Sequence, residues 1–284
     1  MSLQPVKIES SGHRLYGMLE LPGGEPRGGV VLVHGWSGCR VGPHCILVET
    51  ARALAGRGFA ALRFDLRGRG ESEGAPLETD LDAMIDDTCA ATDWLRDGIG
   101  PGRPTALLGM CSGGNVALAA AALRDDIGAV ATWSTYPFQE QHRAAQDVRR
   151  TRHFAWVYLG KALRPATWVK LIRGRVNFGM VRKVLFGHYA AGEGTVRDLQ
   201  RSRRDILGPL SACAGRLLFL YGGADPEAAA AQKAFAEFFA AAPAEIQFDV
   251  IAGANHNFYS LEWKAAAIEL TCRWLEAALA RGPA

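Results

Sequence analysis

The run with the clearest chemical content in this 284-residue chain is Gly109-Met110-Cys111-Ser112-Gly113-Gly114. An apolar stretch, Thr105–Leu108, leads into it, and an Ala-rich helical stretch from about Gly113 to Leu123 leads out. The run is therefore predicted to turn a strand into a helix, and G-x-C-x-G in that context is the pattern of a nucleophile elbow. Such a turn is strained and points its central side chain outward. It also brings the strand and helix backbones so close that the positions two before and two after must be small. Gly109 and Gly113 meet that demand around Cys111. Centring the pattern on Ser112 would put Met110 where a small residue is required. Cys111 is thus the candidate nucleophile, and Ser112 the candidate donor of a backbone N–H to an oxyanion hole. The start of a helix also favours a thiolate, through the positive end of its dipole. The alternative is a small apolar cysteine at a tight turn, and the flanking glycines weigh against it.

Three further loops hold residues that could serve the same chemistry. His34-Gly35-Trp36 follows the first buried apolar run, where the Trp36 N–H can act as a second oxyanion donor; His34 itself is expected to be structural. Tyr221-Gly222-Gly223-Ala224-Asp225-Pro226 closes a strand and opens a helix, so Asp225 either orients a histidine or caps that helix. Gly253-Ala254-Asn255-His256-Asn257-Phe258 closes the last strand and leaves His256 as the candidate base. The order Cys111, Asp225, His256 is that of a nucleophile–acid–histidine triad. Phe64-Asp65-Leu66-Arg67-Gly68-Arg69-Gly70-Glu71-Ser72 is also dense in glycine and charge, and structural roles are expected for Asp65 and Ser72.

The elements that must carry these loops alternate. Val6–Ile8 and Leu15–Leu21 are predicted to open the chain as a hairpin. Gly29–Val33 and Ala60–Phe64 are short apolar strands flanking a helix over Cys45–Leu54. A helix over Thr79–Leu95, with Thr79 as its cap, precedes the strand at Thr105, and Ala129–Trp133 follows the elbow helix. The pattern resumes with strand Leu217–Tyr221, helix Ala228–Phe239, strand Ile246–Ile251 and helix Glu262–Leu279. Alternation of this kind implies a mostly parallel sheet covered on both faces, with ligands at the carboxyl ends of its strands.

Composition narrows the class. Hydrophobic residues are 49% and charged residues 21%, enough for a sizeable core and incompatible with global disorder. No apolar stretch approaches the roughly 20 residues needed to span a bilayer. The polar run Glu9-Ser10-Ser11-Gly12 interrupts the N-terminus before the apolar core of a secretory signal can form. The six cysteines lack C-x-x-C spacing, so a reduced, cytoplasmic protein without a disulfide framework is expected. Charge is uneven: residues 137–212 hold 15 Lys and Arg against five Asp and Glu, a balance of +10, and the rest of the chain carries −7.

Taken in order, the His34-Gly35 loop, Arg63-Phe64-Asp65-x-Arg67-Gly68-x-Gly70-x-Ser72, the elbow, Gly223-x-Asp225 and Asn255-His256 resemble the α/β-hydrolase superfamily over essentially the whole chain. The resemblance implies an α/β-hydrolase fold with a helical lid inserted after the sixth strand. This fits a division into a core of residues 1–136 and 213–284 and a basic lid over 137–212. Members most commonly carry serine at the elbow; cysteine there resembles the dienelactone hydrolases. Arg40-Val41-Gly42-Pro43-His44 and the basic lid are also similar to bacterial hydrolases associated with exosortase systems, a finer and weaker match.

The chemistry this implies is acyl transfer through a thioester on Cys111, with His256 as base and Asp225 fixing its tautomer. No metal or organic cofactor is implied. A thiolate leaves more readily than an alkoxide, so thioesters, activated esters and lactones are better matched than alkyl esters. Hydrolysis comes first, and transfer to an amine or alcohol second. A noncatalytic binding scaffold is the third reading, opposed by the presence of acid, histidine and both oxyanion loops. The basic segment would attract acyl groups carried on CoA or acyl carrier protein. It interleaves aromatics with bases at Phe154–Leu159 and Trp168–Ile172, and an acyl-pocket lining is favoured there over a membrane surface. No nucleic-acid recognition motif accompanies the charge.

Overall fold

The opening hairpin is longer than its apolar pattern. Strands β1 (Ser2–Ser10) and β2 (His13–Leu21) pair from Ser2–Leu21 through to Ser10–His13 in the computed structural model, which describes residues 1–77, 79–137 and 202–280. The apolar residues Val6 and Ile8 mark only the buried face of β1, and backbone pairing carries the strand on to Ser2. The next strands are β3 (Gly29–Val33), β4 (Ala60–Phe64) and β5 (Thr105–Met110). All three are buried at every residue, as continuous apolar runs in a doubly covered parallel sheet should be. After them come β6 (Ile127–Trp133), β7 (Arg216–Gly222) and β8 (Glu245–Ile251).

These eight strands form one sheet in the order β1-β2-β4-β3-β5-β6-β7-β8. β1, β2 and β4 pair antiparallel, and β4 onward is parallel. The chain leaves β3 through helix α1 (Ile46–Gly56) to reach β4 on one side. It returns through α2 (Leu81–Ile99) to β5 on the other. The loops after β3 and β5 therefore part in opposite directions, and the crevice between them is where an open parallel sheet receives a ligand. Registers Val33–Gly109, Met110–Trp133, Trp133–Leu220 and Gly222–Ile251 bring the carboxyl ends of β3, β5, β6, β7 and β8 to a common rim.

Helices α3 (Ser112–Ala122), α5 (Ala228–Phe238) and α6 (Leu261–Ala280) match the predicted spans to within about two residues, as does α1. A short α4 (Leu207–Ser211) precedes β7. The cap of α2 differs from expectation. Asp80, not Thr79, accepts from the Ala83 N–H at 2.9 Å, because Thr79 has turned its hydroxyl back to Ala75 O. A buried pair pins the turn after β4 to this helix. Arg67 donates from Nε (2.9 Å) and Nη2 (2.6 Å) to Asp87 Oδ1, which also accepts from the Ser10 hydroxyl, and the Arg67 amide reaches Oδ2. Trp133, fully buried, ties the sheet to α6 by donating from Nε1 to Thr271 Oγ1 at 2.8 Å.

The basic insertion expected over 137–212 lies outside the described residues from 138 to 201, and with it both aromatic–basic runs. Its last residues are part of the core unit. Ser202 and the Arg203 amide bind Asp82, and Arg204 grips Asp86 with both Nη atoms at 2.7 and 3.0 Å. The uneven charge is thus partly used: bases at the return of the insertion meet acids on α2. Among the described residues, no helix is long and apolar enough to cross a membrane.

Candidate active site

Cys111 sits between β5 and α3 at φ 55°, ψ −124°, a conformation that costs a residue with a Cβ of order 1–3 kcal/mol. The surrounding glycines explain why the turn can form only here. A Cβ on Gly109 would overlap the backbone of Gly113 and Gly114, and one on Gly113 would overlap the carbonyls of Val33 and His34. Gly114 is equally constrained, against the Thr135 side chain, a requirement the G-x-C-x-G pattern does not include. The Cys111 amide donates to Trp133 O at 2.7 Å, and Thr135 Oγ1 donates to Cys111 O at 3.0 Å, so the loop after β6 braces the strained residue. Ser112 is already the first helical residue, which leaves Cys111 alone at the apex.

The predicted acid and histidine are brought to the same rim. His256 Nδ1 lies 2.8 Å from Asp225 Oδ2. Asp225 is 6% exposed, and its other oxygen accepts from the Glu227 amide at 3.1 Å. Of the two roles the sequence left open for Asp225, it holds the imidazole; it does not cap α5, whose N-cap is Glu227 with no side-chain cap bond, and its bond to the Glu227 amide instead steadies the turn ahead of the helix. Burial disfavours the imidazolium, but hydrogen bonds to Asp225 and to Cys111, with the charges of both, outweigh it and push the His256 pKa up to about 9. Nδ1 is on Asp225, so the ring presents Nε2 to Cys111. Burial of Asp225 works against its carboxylate, but the His256 hydrogen bond and charge, the Glu227 amide and the Tyr136 hydroxyl hold it below the usual range.

Tyr136 is the residue that sequence reasoning missed. Its hydroxyl is 2.8 Å from each Asp225 oxygen and 2.8 Å from His256 Nδ1, and its ring tilts against the imidazole with centroids 5.3 Å apart. Asn115 Nδ2 donates to the Tyr136 carbonyl at 2.9 Å, and the Ser134 hydroxyl donates to His256 O at 2.8 Å. The signal was available. Ser134-Thr135-Tyr136 directly follows β6, on the rim where every other site residue was sought.

The oxyanion side differs from expectation in one respect. The Trp36 N–H does not stand open: it donates to Ser112 Oγ at 2.7 Å. The reason is proximity, since Gly35 lets the β3 loop lie directly against the elbow. A Cβ built on Gly35 would be 3.4 Å from Cys111 Cβ and 3.5 Å from Ser112 Oγ. Arg69, 9% exposed, holds the other side of Trp36, with Nε donating to its carbonyl at 2.6 Å and the guanidinium 4.8 Å from its ring centre.

His34, Asp65 and Ser72 are structural, as expected. His34 Nε2 accepts from the Leu66 amide at 3.1 Å, so Nδ1 carries the proton and donates to Gly35 O at 2.8 Å. Burial keeps this ring neutral, with its pKa below the ordinary value. Asp65 pairs with the Arg40 side chain and accepts from the amides of Arg40 and Glu71, and Ser72 donates to Asp65 O. Among the described residues, no group of three His, Cys, Asp or Glu is placed to hold a metal ion.

Residues 24–262 match the sequence profile of a family described as serine aminopeptidase, S33. Several solved structures have the same fold. They include a dienelactone hydrolase from Anabaena variabilis (18% identity, 97% of each chain, TM-score 0.59). The esterase Est1E of Butyrivibrio proteoclasticus with ferulic acid bound is another (19%, 97% of this chain and 99% of that one, TM-score 0.64). A third is a Pyrococcus furiosus esterase (20%, 96% and 91%, TM-score 0.63). A lysophosphatidylserine lipase, ABHD12, of Danio rerio is 34% identical over 88 residues, a match spanning 31% of this chain and 22% of that protein.

Proposed function

The chain belongs to the family of α/β-hydrolases described as serine aminopeptidase, S33, and on that footing we propose that this hydrolase cleaves carboxylic esters, thioesters or lactones through an acyl-cysteine on Cys111. The observation that carries the proposal is the strained Cys111 apex facing an imidazole that Asp225 holds at 2.8 Å. Serine, which the family description specifies, is not at the apex; Ser112 is one residue along, inside the helix, with its hydroxyl on the Trp36 amide.

In the proposed reaction, His256 Nε2 takes the thiol proton and the thiolate sulfur attacks the acyl carbon. The carbonyl π electrons move to oxygen, which is stabilised by the Ser112 amide at the positive end of α3. Trp36 supports it from behind. Collapse restores the carbonyl, and the leaving group takes the proton from His256 Nε2. Water, deprotonated by His256, then attacks the thioester and Cys111 is released. Asp225 keeps Nδ1 protonated throughout and offsets the positive charge on the ring.

The thiolate is itself a good leaving group, so attack on an alkyl ester tends to revert, and substrates with activated or thiol leaving groups are better matched. Transfer of the acyl group to an amine or alcohol uses the same intermediate. Acyl groups on CoA or acyl carrier protein suit the +10 charge of residues 137–212. Intact-mass spectrometry after brief exposure to acyl thioesters and activated esters tests the proposal. An adduct on Cys111 that is absent in Cys111→Ala and persists in His256→Ala is the expected result. Unchanged turnover in Cys111→Ala overturns it. Adding amines or alcohols separates hydrolysis from transfer through the product formed.

A further inference from the structure

The Trp36 N–H, expected as an oxyanion donor, is spent on Ser112 Oγ at 2.7 Å. A serine hydroxyl carries one proton and two lone pairs. With a lone pair given to Trp36, the proton is still to be placed. The Ser112 side chain makes no other hydrogen bond among the described residues. The hydroxyl is half-buried, next in sequence to Cys111, and at the first residue of α3. A point one bond from Gly35 Cα lies 3.4 Å from Cys111 Cβ and 3.5 Å from Ser112 Oγ, so nucleophile and hydroxyl border the same small space.

We infer that the Ser112 hydroxyl is itself an oxyanion donor, standing in for the Trp36 amide and polarised by it. This deepens the acyl-cysteine reading and rests on it. As Cys111 Sγ bonds to the acyl carbon, the π electrons of the carbonyl move to its oxygen. That oxygen then accepts from two groups of one residue, the Ser112 N–H and the Ser112 Oγ–H. Neither proton is transferred, and both donors keep their hydrogens when the C–leaving-group bond breaks. A hydroxyl that accepts from one donor is a stronger donor in turn, because a chain of hydrogen bonds polarises along its length. The chain here runs from the Trp36 N–H through Ser112 Oγ to the oxyanion. Trp36 is clamped behind it by Arg69, whose Nε holds the Trp36 carbonyl at 2.6 Å.

The opposite role is a plug, in which the hydroxyl merely occupies the Trp36 N–H until substrate displaces it. Ser112→Ala distinguishes the two by sign. Single-turnover acylation by p-nitrophenyl butyrate, followed as p-nitrophenolate release and as mass added to Cys111, is expected to slow about 10²-fold in Ser112→Ala. Ser112→Thr, which keeps the hydroxyl, is expected to stay within about tenfold of the unaltered enzyme. Alkylation of Cys111 by iodoacetamide builds no oxyanion and should be unchanged in both variants. Faster or equal acylation in Ser112→Ala overturns the inference in favour of the plug. Equal slowing of acylation and alkylation also overturns it, since the change would then act through Cys111. If the unaltered enzyme gains no mass on Cys111, the nucleophile assignment falls first, and this inference with it.

Discussion

Asp225→Asn removes the strongest partner of the His256 imidazolium and keeps the size of the side chain. Lifting the ring from 6.5 to about 9 is a preference for the charged form of about 3 kcal/mol. Against the cost of burial, the Asp225 hydrogen bond is the largest favourable contribution, followed by Cys111. Loss of Asp225 should therefore bring the His256 pKa down from about 9, with Cys111 supplying what remains. Because the folded pKa lies above the unfolded one, the charged ring contributes stability in full below pH 6.5. That contribution is lost as pH rises through about 9, and the variant should lose it at lower pH. Two measurements follow the change. The His256 Hε1 NMR signal, assigned by its absence in His256→Gln, gives the titration directly. Iodoacetamide alkylation of Cys111 at pH 8, where the imidazolium persists in the unaltered protein, should slow by up to about tenfold in the variant. A His256 titration near 6.5 in the unaltered protein, or one still near 9 in Asp225→Asn, would refute the reasoning.

Tyr136→Phe deletes a hydroxyl that donates to a buried carboxylate and should lower kcat about tenfold, as loss of a charge-assisted bond does, with KM and thermal stability nearly unchanged. A pH–rate profile shifted along with kcat would separate this positioning role from mere packing. Gly113→Ala forces a Cβ into the carbonyls of Val33 and His34 and should cost about 3 kcal/mol or more in urea unfolding, through displacement of the elbow. Asp87→Asn leaves the Arg67 guanidinium without its anion in a buried turn, for an expected loss of about 3–5 kcal/mol by the same measurement. A loss near zero at Asp87 would mean that solvent reaches the pair.

Cys111, Asp225 and His256 were legible as candidates in sequence because each follows a strand and is punctuated by glycine. Cys111 needs Gly109 and Gly113 beside it, and those glycines cannot be replaced without a backbone collision. Asp225 and His256 stand after the strands that become β7 and β8, and chain order alone suggested their partnership. Tyr136 offered no such mark. It follows β6 without a glycine and opens onto the basic segment. The cap of α2 was off by one residue for a local reason, since Thr79 and Asp80 are both good caps and only the turn at Ala75 decides which hydroxyl or carboxylate is free.

The sequence by itself determined the alternation of strands and helices, the mostly parallel sheet, and which side chains reach its carboxyl rim, because periodicity, apolar runs and glycine spacing are local properties of the chain. Tertiary structure decided what those rim residues do to one another. The crossing from β4 back over β3 to β5 lays the Trp36 loop on the elbow and hands its amide to Ser112. The parallel register of β6 beside β5 and β7 sets the Tyr136 hydroxyl between Asp225 and His256. Hydrogen bonds of this kind join residues 76, 89 and 120 positions apart. Their geometry depends on distances of a few tenths of an ångström between separate elements, which no local pattern encodes.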